Sequence, residues 1–107
     1  GHFLTSTYLE DTCRTLSNII DNFKAGEIYN VGGLEYHDIE TLAETIWKYT
    51  GADKKLIEFK ESEVLTTKSK KVDTSKAVKD LGHKLTVKLE DGVKTTIDWM
   101  KEYYKIK

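Results

Sequence analysis

The sequence predicts an α/β fold, mainly helical with a few short strands. Three observations predict it. The stretch Gly26-Glu27-Ile28-Tyr29-Asn30-Val31-Gly32-Gly33 is an apolar run that ends in two glycines. The segments before and after it carry apolar residues at helical spacing. Proline is absent from all 107 residues, which suits a helix-rich fold better than a loop-rich module.

Taken in order, residues 3–8 are rich in threonine and aromatic residues and read as a short strand. Residues 10–23 read as a helix. Cys13, Leu16, Ile20 and Phe23 recur at spacings of three or four, with Ile19 alongside, and polar residues hold the other face. Glu10 and Asp11 sit where the helix dipole favours negative charge, and Lys24-Ala25-Gly26 closes the helix. Residues 27–31 read as a strand; successive apolar side chains suit a strand covered on both faces. Replacing both Ile28 and Val31 by lysine is therefore expected to disrupt folding more than Lys24→Ala, because it buries two charges.

Asp38 is placed to cap the next helix, whose buried stripe is Ile39, Leu42, Ala43 and Ile46 with Trp47 beside it, ending at Thr50-Gly51. Residues 55–61 form a second strand candidate, with Leu56, Ile57 and Phe59 as its apolar side chains, and residues 63–71 a loop. A short helix from Asp73 or Thr74 to Leu81 turns Ala77, Val78 and Leu81 inward and is closed by Gly82. The last helix covers residues 89–105. Leu89, Val93, Ile97, Met100 and Tyr104 make its stripe, widened by Trp99 and Tyr103, all read as core.

This length suits one domain, residues 1–107, with Gly1-His2 read as an expression scar. Seventeen basic and eighteen acidic residues are interspersed for a net charge of −1, which argues against a nucleic-acid or membrane-surface partner. No apolar run approaches the roughly 20 residues that span a bilayer, and no signal peptide is read. A single cysteine, Cys13, forms no internal disulfide, so a reducing, cytoplasmic setting is expected.

Chemical candidates are few. His2, His37 and His83 are scattered without metal-ligand spacing, and no serine or threonine lies in a nucleophile elbow. Cys13, on an apolar stripe, reads as a buried core thiol rather than a nucleophile. Asn30-Val31-Gly32-Gly33 presents backbone N–H groups suited to a phosphate, but two glycines without a full GxGxxG read more simply as a turn. The cluster Lys68, Lys70 and Lys71 suits an anion such as a diphosphate; its plainer reading is a solvated loop. No catalytic, metal or cofactor-binding residue is assigned.

Five segments in order resemble the C-terminal third of the extended short-chain dehydrogenase/reductase family, the nucleotide-sugar epimerases and 4,6-dehydratases. Tyr8-Leu9-Glu10-Asp11 resembles the family's Tyr-Val-x-Asp, and the 26–32 stretch its Gly-Glu-x-Tyr-Asn-Ile-Gly strand. The Ile39–Ile46 stripe resembles the following helix. Lys71-Val72-Asp73-Thr74-Ser75-Lys76-Ala77 with Asp80-Leu81-Gly82 resembles its Asp-x-Ser-Lys-Ala…Leu-Gly segment, and Leu89-Glu90-Asp91-Gly92-Val93 through Trp99 its closing helix. The dTDP-glucose 4,6-dehydratase-like members are the most similar subgroup.

The resemblance implies a C-terminal fragment of a Rossmann-type enzyme whose N-terminal domain, absent here, binds NAD(P) and carries the Tyr-x-x-x-Lys catalytic pair. This chain alone is then expected neither to bind the cofactor nor to catalyse, but to contact the nucleoside diphosphate-sugar. A family basic residue that touches the diphosphate corresponds to Lys68, Lys70 or Lys71, with Lys68 the first choice. A second family arginine is replaced here by Leu4. Asp11 and Asn30 match family positions and read as structural. The exposed strand edge left by an absent sheet invites a homodimer or domain-swapped dimer. The alternative is a free-standing small α/β binding or assembly module without catalysis.

Overall fold

A computed structural model describes residues 2–106; Gly1, half of the expected expression scar, and Lys107 lie outside the described residues. The element order is β1 (Phe3–Thr5), α1 (Leu9–Ser17), β2 (Tyr36–Asp38), α2 (Ile39–Thr50), a single 3₁₀ turn (Lys54–Leu56), α3 (Ser75–Leu81) and α4 (Leu89–Tyr104). The slab measures 50 × 37 × 18 Å between Cα atoms, scarcely two layers thick. Its interior is accordingly small. Among the described residues Ala77, Leu81 and Ile97 are the buried apolar side chains, against five buried polar ones: Asp11, Thr15, His37, Thr74 and His83. Polar bonds, more than apolar volume, register the elements.

Of the four helices, α2, α3 and α4 lie where the periodicity predicts, and α1 does so in its first half. Asp38 caps α2 by accepting from the Thr41 N–H at 2.7 Å, and α2 ends at Gly51 as expected. α3 closes at Gly82, whose φ of 60° is the left-handed conformation that glycine adopts freely. Asp73 accepts from the Ser75 N–H at 3.0 Å ahead of α3. α4 ends one residue earlier than its periodicity predicts, with Lys105 in the left-handed region.

The helix predicted over 10–23 stops at Ser17. Beyond it the backbone tightens into three-residue steps, Ile19 N–H to Leu16 O at 3.2 Å and Ile20 N–H to Ser17 O at 3.3 Å. Ser17 Oγ donates to the Arg14 carbonyl at 2.7 Å, which it shares with the Asn18 N–H, and Asn22 Nδ2 donates to the Asn18 carbonyl at 2.8 Å in place of a backbone N–H. The predicted apolar stripe is real but faces outward. Leu9, Cys13, Leu16 and Ile20 are exposed, while Asp11 and Thr15 on the opposite face are buried. Cys13 is therefore an exposed thiol, not a core one.

The strands differ more. Residues 3–8 contribute a strand over Phe3–Thr5 alone, and its partner, β2, was not foreseen. The two pair antiparallel, Phe3 with Asp38, Leu4 with His37 and Thr5 with Tyr36. Residues 27–31 form no ladder among the described residues, because a strand is made by pairing and only α3 lies beside them. Ile28 is 82% exposed, so the premise that two lysines at 28 and 31 bury two charges fails at Ile28. Residues 55–61 give a 3₁₀ turn, capped by Asp53 on the Lys55 N–H at 2.9 Å, and then irregular chain. Leu56 and Phe59 stay exposed there, lacking a sheet to join. Trp99, Tyr103 and Tyr104 are likewise exposed rather than core; the rings pack on one another, Trp99 on Tyr103 at 5.1 Å between centroids.

Candidate functional site

β1 sits between two chains. β2 pairs with one edge. On the other, Phe3 bridges Ser69 in parallel: the Phe3 N–H donates to Lys68 O at 2.8 Å and the Lys70 N–H to Phe3 O at 2.9 Å. This fixes the lysine-rich segment at the head of α2. Phe3 stacks on Tyr36 at 5.3 Å, and Tyr36 Oη hydrogen-bonds Ser69 Oγ.

From there residues 54–68 arch away from α2 and leave a cavity of about 690 Å³. One wall is α2, with Ile39, Glu40 and Glu44; the other is the arch, with Phe59, Lys60 and Lys68. Lys54, at the foot of the arch, places its ammonium 4.3 Å from the centre of the Trp47 ring. Ser62 hydrogen-bonds His2 at 3.2 Å, a further tie across the cavity.

The structure separates the three candidate lysines. Lys68 lines the cavity. Lys71 instead lies over Tyr36, 6.0 Å from its ring centre. Lys70 is exposed and contributes its backbone to the β1 bridge. Lys76 is engaged elsewhere, paired with Glu27 above the Tyr29 ring. Leu4 is half-buried opposite His37.

The two glycines at 32 and 33 lie where the chain packs against β1 and its following residues. A side chain at Gly33 would come within 2.7 Å of the Ser6 backbone nitrogen, so that glycine exists to let two chains cross. The Gly32 carbonyl accepts from His83 Nε2 at 2.7 Å. A carbonyl only accepts, so Nε2 carries a hydrogen, and Nδ1 hydrogen-bonds the Thr15 hydroxyl at 2.7 Å, the same hydroxyl that lies 3.1 Å from the Asp11 carbonyl. His83, one of three histidines that look scattered in sequence, thus joins α1, the 26–33 stretch and the α3–α4 turn.

Asp11 completes this anchor. Its carboxylate accepts from the Thr86 and Val87 N–H groups, each at 3.2 Å, and from the Thr86 hydroxyl at 2.7 Å, and it pairs with Arg14. The Thr86 hydroxyl bond, with the backbone donors and Arg14, outweighs burial and holds the Asp11 carboxyl below its ordinary value. Asp80 is also held low, by the Tyr29 hydroxyl at 2.9 Å and then by Lys24. The structural reading of Asp11 from the sequence agrees with these bonds, but its partners Thr86 and Val87 lie 75 and 76 residues away and leave no local trace.

A second, apolar cavity of about 420 Å³ lies between α2 and α4, beneath Tyr8, with Leu42, Ile46, Val93 and Met100 in its walls. Among the described residues no group of three or more His, Cys, Asp or Glu side chains is placed to hold a metal. None of their helices is long and apolar enough to cross a membrane.

No family model matches the sequence. The chain is 32% identical over 93 residues to the low-salt glycan biosynthesis protein Agl12 of Haloferax volcanii, covering 86% of this chain and 29% of that protein. It is 29% identical over 96 residues to a dTDP-glucose 4,6-dehydratase of Streptomyces niveus, covering 89% and 28%. In structure it superimposes on the UDP-glucuronic acid 4-epimerase of Bacillus cereus, crystallised with UDP-glucuronic acid and NAD. That match has a TM-score of 0.83 and 28% identity, covering 96% of this chain and 33% of the epimerase. The chain matches the C-terminal region of extended short-chain dehydrogenases/reductases in sequence and in fold.

The same fold recurs at 19% identity in the dTDP-glucose 4,6-dehydratase of Bacillus anthracis, with a TM-score of 0.83 over 98% of this chain and 33% of that one. The chain thus spans less than a third of the curated relatives it matches. Within this short-chain dehydrogenase region, α1, α3 and the 26–33 stretch form one block bound by Asp11, Thr15 and His83, and α2 and α4 form another beside the arch.

Proposed function

We propose that this chain is the substrate-binding C-terminal part of an NAD-dependent nucleotide-sugar epimerase or 4,6-dehydratase, and that it is not catalytic alone. The observation that carries the reading is Lys68 on the wall of a 690 Å³ cavity, in a chain whose fold recurs in such enzymes. Lys68 supplies a point charge to the diphosphate of a nucleoside diphosphate-sugar, with Lys70 and Lys71 as neighbouring surface cations. NAD(P) belongs to the Rossmann domain of the whole enzyme.

The outward stripe of α1 and the exposed Ile28 support this division of labour. Both belong against the sheet of that Rossmann domain, and on their own they draw two copies together as a dimer. The exposed Cys13 thiol suits a reducing cytoplasm. Calorimetric titration of UDP at low salt tests the site. Lys68→Ala is expected to weaken binding about tenfold; a wild-type chain that ignores UDP, or a variant that binds it as well, refutes the reading.

A further inference from the structure

The two walls of the large cavity carry opposite charge. The arch brings three lysines, Lys54, Lys60 and Lys68, and one glutamate, Glu58, which sits 3.6 Å from Lys60. The α2 wall brings Glu40 and Glu44 and no cation. These two lie four residues apart, hence on one face of the helix, and neither has an ion-pair partner among the described residues. Lys48, the cation next along α2, is turned away to Glu90 at 2.5 Å. Between the glutamates Ile39 and Ala43 give the wall an apolar floor.

A ligand that sets its phosphates against the arch therefore presents its other end to two carboxylates. Carboxylates only accept hydrogen bonds, and hydroxyl groups donate them. A sugar bearing only hydroxyls is matched there; a sugar bearing its own carboxylate meets like charge.

We propose that Glu40 and Glu44 are specificity-determining residues that select nucleotide sugars with a neutral sugar ring and reject uronic acids. The inference rests on the substrate-binding reading above and adds to it the class of sugar. It separates this chain from the Bacillus cereus neighbour, whose substrate is UDP-glucuronic acid.

The test titrates this chain, at low salt, with UDP, UDP-glucose and UDP-glucuronic acid. UDP alone reports on the underlying reading: if it does not bind, both proposals fall. With UDP bound, UDP-glucose is expected to bind about tenfold more tightly than UDP-glucuronic acid. The exposed double variant Glu40→Gln, Glu44→Gln is expected to shrink that preference to about twofold, while Lys68→Ala weakens both sugars alike and keeps the ratio. The preference is also expected to collapse in 1 M salt, where the Debye length is about 3 Å. Equal binding of the two sugars by the wild-type chain, or a preference that survives the double variant, overturns the selection by Glu40 and Glu44 and leaves the diphosphate site standing.

Discussion

α1 turns Asp11 and Thr15 inward and Leu9 and Leu16 outward, whereas α4 turns Ile97 inward and leaves Trp99, Tyr103 and Tyr104 exposed toward its C-terminal end. The two blocks are held by different forces. In the α1–α3 block the contacts are directional: a buried carboxylate, a hydroxyl and an imidazole connect segments 51 to 76 residues apart in sequence. In the α2–α4 block the seam is apolar and incompletely filled, with the 420 Å³ cavity along it. Glu90 clasps its rim, receiving Lys48 at 2.5 Å and the Tyr49 hydroxyl at 2.6 Å. A helix whose polar face is the buried one keeps its hydrophobic face for something else. The direction of the apolar stripe therefore separates the block with an apolar seam from the one joined by polar contacts.

The sharpest way to break the contrast is Asp11→Ala. It leaves the Thr86 and Val87 N–H groups, the Thr86 hydroxyl and Arg14 without their acceptor, and is expected to cost about 3 kcal/mol in urea denaturation. The same carboxylate gives a signed pH dependence. Its folded pKa is depressed, so the unfolded chain binds the proton more readily. The stabilisation is whole above the ordinary carboxylate value of about 3.9 and is lost as pH falls below it toward the folded value. The urea midpoint of the wild type should drop between pH 5 and pH 3, each about a unit from that value, and drop less in Asp11→Ala. Asp38, Asp73, Asp80 and Glu90, also held low by hydrogen bonds, supply the fall that remains.

Ile97→Ala probes the other block. It removes the best-buried apolar side chain of α4 next to space that is already empty, and is expected to cost about 2 kcal/mol, at the low end for such truncations. Glu90→Gln loosens an exposed clasp in which Lys48 is held above its ordinary pKa and Glu90 below. Because water screens that pair, its effect on the urea midpoint should be the smaller of the two, and should vanish at high salt.

How much of this is legible in the sequence follows from the range of each force. Helix periodicity and caps are local, so the positions of α2, α3 and α4, with Asp38 and Gly82, are read correctly, although Ile39, Ile46, Val78 and Met100, read as buried, stay exposed for want of a facing layer. Periodicity says that Leu16 and Ile20 share a face but not what the face meets, so the stripe is right and its direction wrong. Strand assignments fail for the same reason. Residues 27–31 have the composition of a strand, and a strand exists only with a partner, while β2 has a partner and a composition, Tyr36-His37-Asp38, that advertises none. His83 and Thr15 are ordinary residues made important by a distant carbonyl. At the candidate site the lysine cluster is visible as composition; which of its members faces the cavity depends on the Phe3–Ser69 bridge, a contact across 66 residues.

The outward face gives the smallest expected effect on stability and the largest on association. In Leu16→Lys, Ile20→Lys the two side chains, 50% and 83% exposed, exchange one solvated position for another, so the urea midpoint should stay within about 0.5 kcal/mol of wild type. Two added cations on the same stripe should, however, repel any apolar surface or second copy that seeks it. Sedimentation at high micromolar concentration is expected to show a dimer for the wild type and a monomer for this variant. A charge pair at equally exposed but polar positions, Asp21→Lys with Asn22→Lys, should leave the dimer intact, because those side chains lie off the stripe. If the stripe variant unfolds instead, α1 already uses that face within the chain and the contrast between the blocks is gone. If both variants dimerise like the wild type, association runs through another surface and the stripe is free for a sheet alone.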